Sequence, residues 1–186
     1  MTIPRVVSRL LLACLAAAAT ACGNDDNLAD PTEENVVDTV TIGSLTGTPI
    51  ITPSGFSVSD GAVRTDLSAN FDFAYNIEAG GRRVFLPRAA LGLPSSTTAD
   101  PGLQRRDETF DEIVVARSNG YVTDEVVPVE VGERYLVRSR VVCGSLGVPL
   151  YAKLEILSFE DSLVHLKVLA NRNCGYKELE PGFPDR

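Results

Sequence analysis

The chain of 186 residues has no tryptophan, one histidine, His165, and one methionine, Met1. A single imidazole cannot supply both axial nitrogens of a bis-histidine haem, and no methionine follows Met1 to replace one of them. Basic residues are few: 17 Lys and Arg stand against 25 Asp and Glu. That balance argues against nucleic acid, where neutralisation of phosphates by Lys and Arg supplies much of the affinity. Hydrophobic runs are short. The one at the N-terminus covers residues 10–21, whereas a helix needs about 20 apolar residues to cross roughly 30 Å of hydrocarbon. Also missing are the Gly-x-Ser-x-Gly elbow, the Gly-x-Gly-x-x-Gly turn and the P-loop. No cofactor and no metal is expected.

The N-terminus carries an address. Arg5 and Arg9 precede the apolar run, and small residues lead to Cys22. A basic start, a short apolar core and small residues before a break are the organisation of a secretory signal. Ala19-Thr20-Ala21-Cys22 resembles a bacterial lipobox, in which the cysteine is acylated and becomes the first residue of the exported chain. Ala19 stands where leucine is usual. The alternative is an ordinary signal peptide cut after Ala21, leaving Cys22 as a thiol. Cysteine arithmetic favours lipid. Cys14 leaves with residues 1–21, Cys143 and Cys174 remain as a pair, and Cys22 is the odd one. An exported pair is expected to oxidise, closing a loop of about 32 residues worth on the order of 3–4 kcal/mol. A two-cysteine metal site is the competing use, but close spacing and a nearby histidine pair are absent.

Residues 22–40 contain Asp25, Asp26, Asp30, Glu33, Glu34 and Asp38 and no basic residue. Such composition predicts a flexible, extended acidic tether, and the ligand spacing of a calcium loop is missing. Gly23 rather than Asp follows Cys22, so the inner-membrane retention signal of diderm lipoproteins is absent. The expected location is the outer membrane. Without residues 1–21 the chain keeps 15 basic and 25 acidic residues, a formal charge of −10. The expected membrane contact is therefore lipid on Cys22 rather than attraction to anionic headgroups. Residues 41–186 are enough for one domain with its own core.

In that domain apolar residues recur with period two, the pattern of half-buried strands. Phe71, Phe73, Tyr75 and Ile77 alternate with Asp72, Ala74 and Asn76. Leu150, Ala152, Leu154 and Ile156 alternate with Tyr151, Lys153, Glu155 and Leu157. Val164, Leu166, Val168 and Ala170 alternate with His165, Lys167 and Leu169. Turn signals separate the runs at Asp60-Gly61, Gly80-Gly81, Asn119-Gly120, Gly132-Glu133 and Asp161-Ser162. Residues 129–131 and 135–142 read as a hairpin about Gly132, with Pro128 placing its first strand at an edge or bulge. Residues 88–93 have room for one short helical turn. The pattern predicts an all-β domain, an antiparallel sandwich or barrel.

Residues 93–109 show no period and read as a long loop, of the kind often functional or mobile. Arg105 and Arg106 form its local basic pair, either a contact for an anion or partner or simply solvated. His165 reads as a solvent-facing strand residue. Asp111 and Glu112 are adjacent and would point to opposite faces of a strand, so they do not make the facing carboxylates of a glycosidase. Glu78, Asp107, Glu108 and Asp124 read as loop or edge charges. Tyr75, Phe85, Tyr121 and Tyr151 are available to line a pocket, although aromatics more commonly pack in the core.

Two stretches carry a family resemblance. Asn70-Phe71-Asp72-Phe73-Ala74-Tyr75, after the glycine-broken stretch 55–66, resembles a strand of the HmuY-like lipoproteins. So do Tyr135-Leu136-Val137-Arg138 and Leu150-Tyr151-Ala152-Lys153-Leu154, which are similar to that family's closing pair. The family is exported, lipid-anchored and all-β, and includes haem-binding members. The resemblance therefore implies fold and anchoring. With one histidine, this chain departs from the paired ligands of the haem binders, so haem does not carry across.

Together these readings describe a membrane-anchored exported binding module, with a small ligand or a surface protein as partner. Recognition is expected in loops on a rigid sheet. The alternative is an exported hydrolase whose site has no recognisable motif; a triad's members converge in space, so sequence order does not exclude one.

Overall fold

The computed structural model describes residues 28–93 and 100–185. The signal at 1–21, with Cys14, and Cys22 lie outside the described residues. Alternating side chains demand a surface that is apolar on one face, and ten strands supply it. They are β1 (Val37–Gly43), β2 (Gly55–Ser57), β3 (Gly61–Val63), β4 (Phe73–Ile77), β5 (Arg83–Pro87), β6 (Gly102–Arg106), β7 (Val127–Pro128), β8 (Arg134–Cys143), β9 (Val148–Glu160) and β10 (Leu163–Asn171). A short 3-10 helix, Arg88–Leu91, follows β5.

The strands form two antiparallel five-stranded sheets, ordered β1-β10-β9-β8-β6 and β3-β2-β4-β5-β7. Each sheet keeps two edges, so the domain is a sandwich and not a closed barrel. The expected alternation decides the packing. Leu150, Leu154, Ile156, Val164, Leu166 and Val168 turn inward onto Phe56, Phe73, Tyr75 and Phe85 of the facing sheet. Phe73 and Phe85 lie 4.6 Å apart within one sheet, and rings bridge the layers where Phe85 meets Tyr135 edge-on at 6.0 Å and Tyr75 stacks on Phe159 at 6.1 Å. Such pairs add about 0.5–1.5 kcal/mol each beyond area burial, and they fill the width without a tryptophan.

Some local expectations change. Residues 129–142 are not a hairpin. β7 pairs with β5 in one sheet and β8 pairs with β6 and β9 in the other, so the chain changes sheets at Gly132. The Gly132 N–H donates to Ile156 O at 2.8 Å. A turn between two apolar runs looks the same whether the runs pair or part company. Pro128, which has no N–H to give a ladder, does lie in the edge strand. The supposed loop at 93–109 contains β6, paired with β8 from Gly102 to Arg106. Its sequence, GLQRR, sends only Leu103 into the main core, too little to leave a period. Asp111 and Glu112 lie in a turn rather than a strand, where Thr109 N–H donates to Glu112 Oε2 at 2.9 Å.

A third layer lies on the outer face of β8–β10. Phe110, Ile113, Ala116 and Leu179 cover Leu136, Tyr151 and Leu169 to make a second core. Lys153, on the face read as polar, is therefore only 2% exposed. Its Nζ donates to Phe110 O at 2.8 Å and Ile113 O at 2.9 Å, pinning that layer to the sheet. Burial pushes its pKa below the usual lysine range.

The Cys143–Cys174 disulfide is present, with Cα atoms 5.8 Å apart. It joins the end of β8 to the turn after β10. The ordered domain also takes in residues read as tether. β1 begins at Val37, and Asn35 pairs with Gly182 before it. Both sheets and both cores lie between residues 28 and 185.

Candidate functional site

Three buried asparagines organise the pole at which the chain enters. Asn173 Oδ1 accepts the N–H groups of Thr32 (2.8 Å) and Glu33 (3.1 Å), and its Nδ2 donates to Glu33 O at 2.8 Å. Asn171 Oδ1 accepts the Asn173 N–H at 2.9 Å, and Asn171 Nδ2 donates to Glu178 O at 2.8 Å. Asn35 Nδ2 reaches Glu178 O and Glu180 O. An amide side chain carries both donors and acceptors, so it can tie backbone that has no strand partner. Tyr176 OH donates to Ala29 O at 3.0 Å, which fixes the chain as early as Ala29.

From this pole a cleft of about 400 Å³ runs between edge strands β1 and β3. Its floor is apolar: Val40, Phe56, Val58, Val168 and Ala170. Its rim carries Glu34, Asp38, Asp60 and Arg172, with the hydroxyls of Thr39 and Thr41. The cleft exists because the two sheets come apart at one side, where both outermost strands are edges. Phe56 and Ala62 are cross-strand partners, so their side chains share a face of the hairpin, and Ala62 leaves the side open.

Two rim carboxylates are held in place by local donors. Asp38 Oδ1 accepts the Thr39 N–H at 2.7 Å. Asp60 Oδ2 accepts from Ser59 Oγ at 2.7 Å and Ser57 Oγ at 3.0 Å. The bonds from Ser59 and then Ser57 hold the Asp60 pKa below the usual carboxylate value, against partial burial. Asp38 also occupies an N–H of the β1 edge, which discourages pairing with another chain there.

The residues singled out from sequence fall elsewhere. Tyr75 and Phe85 pack in the main core, and Tyr121 meets Tyr151 at 6.4 Å on the outer face. None of the four lines the cleft. Arg105 pairs with Glu133 at 2.9 Å and Arg106 with Glu108, so the basic pair is spent on ion pairs within the domain. Glu78 pairs with Arg82. His165, partly exposed on β10, shares a hydrogen bond between Nδ1 and Thr41 Oγ1 at 2.8 Å, and Glu160 lies 3.4 Å from Nε2. Among the described residues no group of three or more His, Cys, Asp or Glu is placed to hold a metal ion.

No family model, curated protein or solved structure matches this chain. The cleft residues Asp38, Phe56, Asp60, Ala62 and Arg172 escaped the sequence reading. One signal was present: residues 39–59 carry no charge in a strongly acidic chain, and Asp38 and Asp60, the two held carboxylates, bound that stretch.

Proposed function

We propose that the protein is an exported lipoprotein, anchored through lipid on Cys22, that binds a small ligand with an apolar body in the cleft between β1 and β3. The observation that carries this reading is the cleft itself, whose volume is that of small-molecule sites and whose apolar floor is ringed by charged and hydroxyl groups. The anchor fits the geometry. Cys22 precedes the tied Ala29 by seven residues, a reach of about 25 Å when fully extended. The domain then rides close to the bilayer with its asparagine pole nearest, and the cleft opens beside that pole at Glu34 and Arg172. Gly23 after the lipidated cysteine supports the outer membrane as the location. The resemblance to HmuY-like lipoproteins supports an anchored β domain and, with His165 alone, brings no bis-histidine haem.

The test uses the chain from residue 23 onward, exported behind an unrelated signal; it contains both cores. The uncharged dye N-phenyl-1-naphthylamine brightens in apolar sites, and the chain contributes no tryptophan emission. Saturable brightening is expected, with at least tenfold weaker binding in Ala62→Trp, where an indole caps the cleft. Absent binding, or equal binding by a folded Ala62→Trp, would show that the cleft is not the site.

A further inference from the structure

The rim of the cleft is more specific than its floor. Of its charged residues, Glu34, Asp38 and Asp60 are negative and Arg172 alone is positive. Arg172 lies with Nη1 3.9 Å from an exposed Glu33 carboxylate oxygen, and it and Arg140 also act on Asp60, so the acidic excess is greatest at Asp38 and Glu34. Local donors orient Asp38 through Oδ1 and Asp60 through Oδ2. Among the described residues no hydrogen-bond donor lies on the second oxygen of either, and both residues line the cleft beside its apolar floor. A group placed there must leave bulk water in part, so only a ligand that answers the negative charge recovers the cost. Charge-assisted bonds from an ammonium or guanidinium do so most effectively.

Resting on the cleft as the binding site, we infer that its ligand is a cationic amphiphile. Its apolar body lies along Phe56, Val58 and Val168, and its protonated amine or guanidinium sits at Asp38 and Asp60. An anionic amphiphile, such as a fatty acid, is disfavoured by the same rim. The opening beside the anchored pole suits a ligand that partitions into the adjacent bilayer surface.

Displacement of N-phenyl-1-naphthylamine from the same exported chain tests this, using decylammonium, 1-decanol and decanoate below their aggregation limits. Decylammonium is expected to displace the dye at a concentration roughly three- to fivefold lower than decanol, with decanoate weakest. Salt at about 0.5 M narrows the spread, since exposed charges are then screened. Asp38→Asn, whose amide oxygen can still accept the Thr39 N–H, brings the amine-to-alcohol ratio towards one. Asp111→Asn, at an exposed carboxylate outside the cleft, keeps the ratio. Equal displacement by amine and alcohol, with the dye still blocked by Ala62→Trp, would overturn the charge selection and leave the cleft as a site. No dye binding at all would remove the site and this inference with it. A concentration-dependent dimer abolished by Ala62→Trp would seat a second copy in the cleft and overturn the ligand assignment.

Discussion

Asp72 and Arg140 join the two sheets: Asp72 Oδ1 accepts the Arg140 N–H at 2.9 Å, and the guanidinium of Arg140 lies 3.4 Å away. A register shift in β8 between Arg138 and Val141 aims that N–H across the sandwich. The other oxygen of Asp72 accepts the Val58 N–H at 2.8 Å, so the carboxylate also holds the turn that floors the cleft.

Burial outweighs these donors and pushes the Asp72 pKa up to about 6. The folded value lies above the unfolded one, so the native state binds more protons between about pH 4 and 6. Asp72 then adds stability as pH falls through 6 and withdraws it as pH rises, by something on the order of 3 kcal/mol. Asp72→Asn cannot titrate, and its amide turns a donor towards one of the two backbone N–H groups. The variant should be less stable at pH 4.5, with the gap to wild type narrowing as pH rises to 7.5. Urea midpoints across that range check it; a constant gap would refute the role.

Lys153 pins the outer layer through two carbonyls. Lys153→Met keeps the apolar stem but leaves Phe110 O and Ile113 O without their donor. A loss of about 2–4 kcal/mol is expected, since bonds to a charged group are worth more than neutral ones. Hydrogen exchange should quicken at residues 109–116 and remain slow in β4 and β5. Unchanged protection in the outer layer would count against the pin.

Peptide mapping without reductant should recover Cys143 joined to Cys174. Replacing both by serine should cost about 3–4 kcal/mol in the chain-entropy description, measured by denaturant unfolding. Because the bond closes the asparagine pole, hydrogen exchange should quicken first around residues 171–176. Free thiols at both positions in exported protein would refute the pairing there.

Cys22→Ser should abolish labelling by a fatty-acid analogue and move the protein from the membrane to the soluble exported fraction. The expectation rests on the small residues before Cys22 and on its being the odd cysteine. Unchanged membrane partition in the variant would sink it.

Much of the architecture was legible because alternation is a local signal. Leu150, Leu154 and Ile156 had to share a face whatever they packed against, and Gly80-Gly81 and Asp161-Ser162 mark turns that join paired strands. β6 was not legible, because one inward leucine leaves no period. The first residues of β1 were hidden by acidic composition: Val37 to Thr39 are held by pairing with Leu169 to Lys167 of β10, and the chain just before them by Asn35 and Asn173, which bond backbone rather than fill a core.

By itself the sequence determined the all-β class, the turns, the one possible disulfide within the domain and the side chains that share a face of each strand. Those follow from chirality, pleat and counting. Tertiary structure alone decided which faces meet. It buried Lys153 under a third layer, set Asp72 against Arg140 and left β1 and β3 as neighbouring edges with a cleft between them. Periodicity says which way a side chain points but not what stands opposite. Partners are chosen by contacts between residues far apart in the chain, and the cleft lies where no strand was left to close the side.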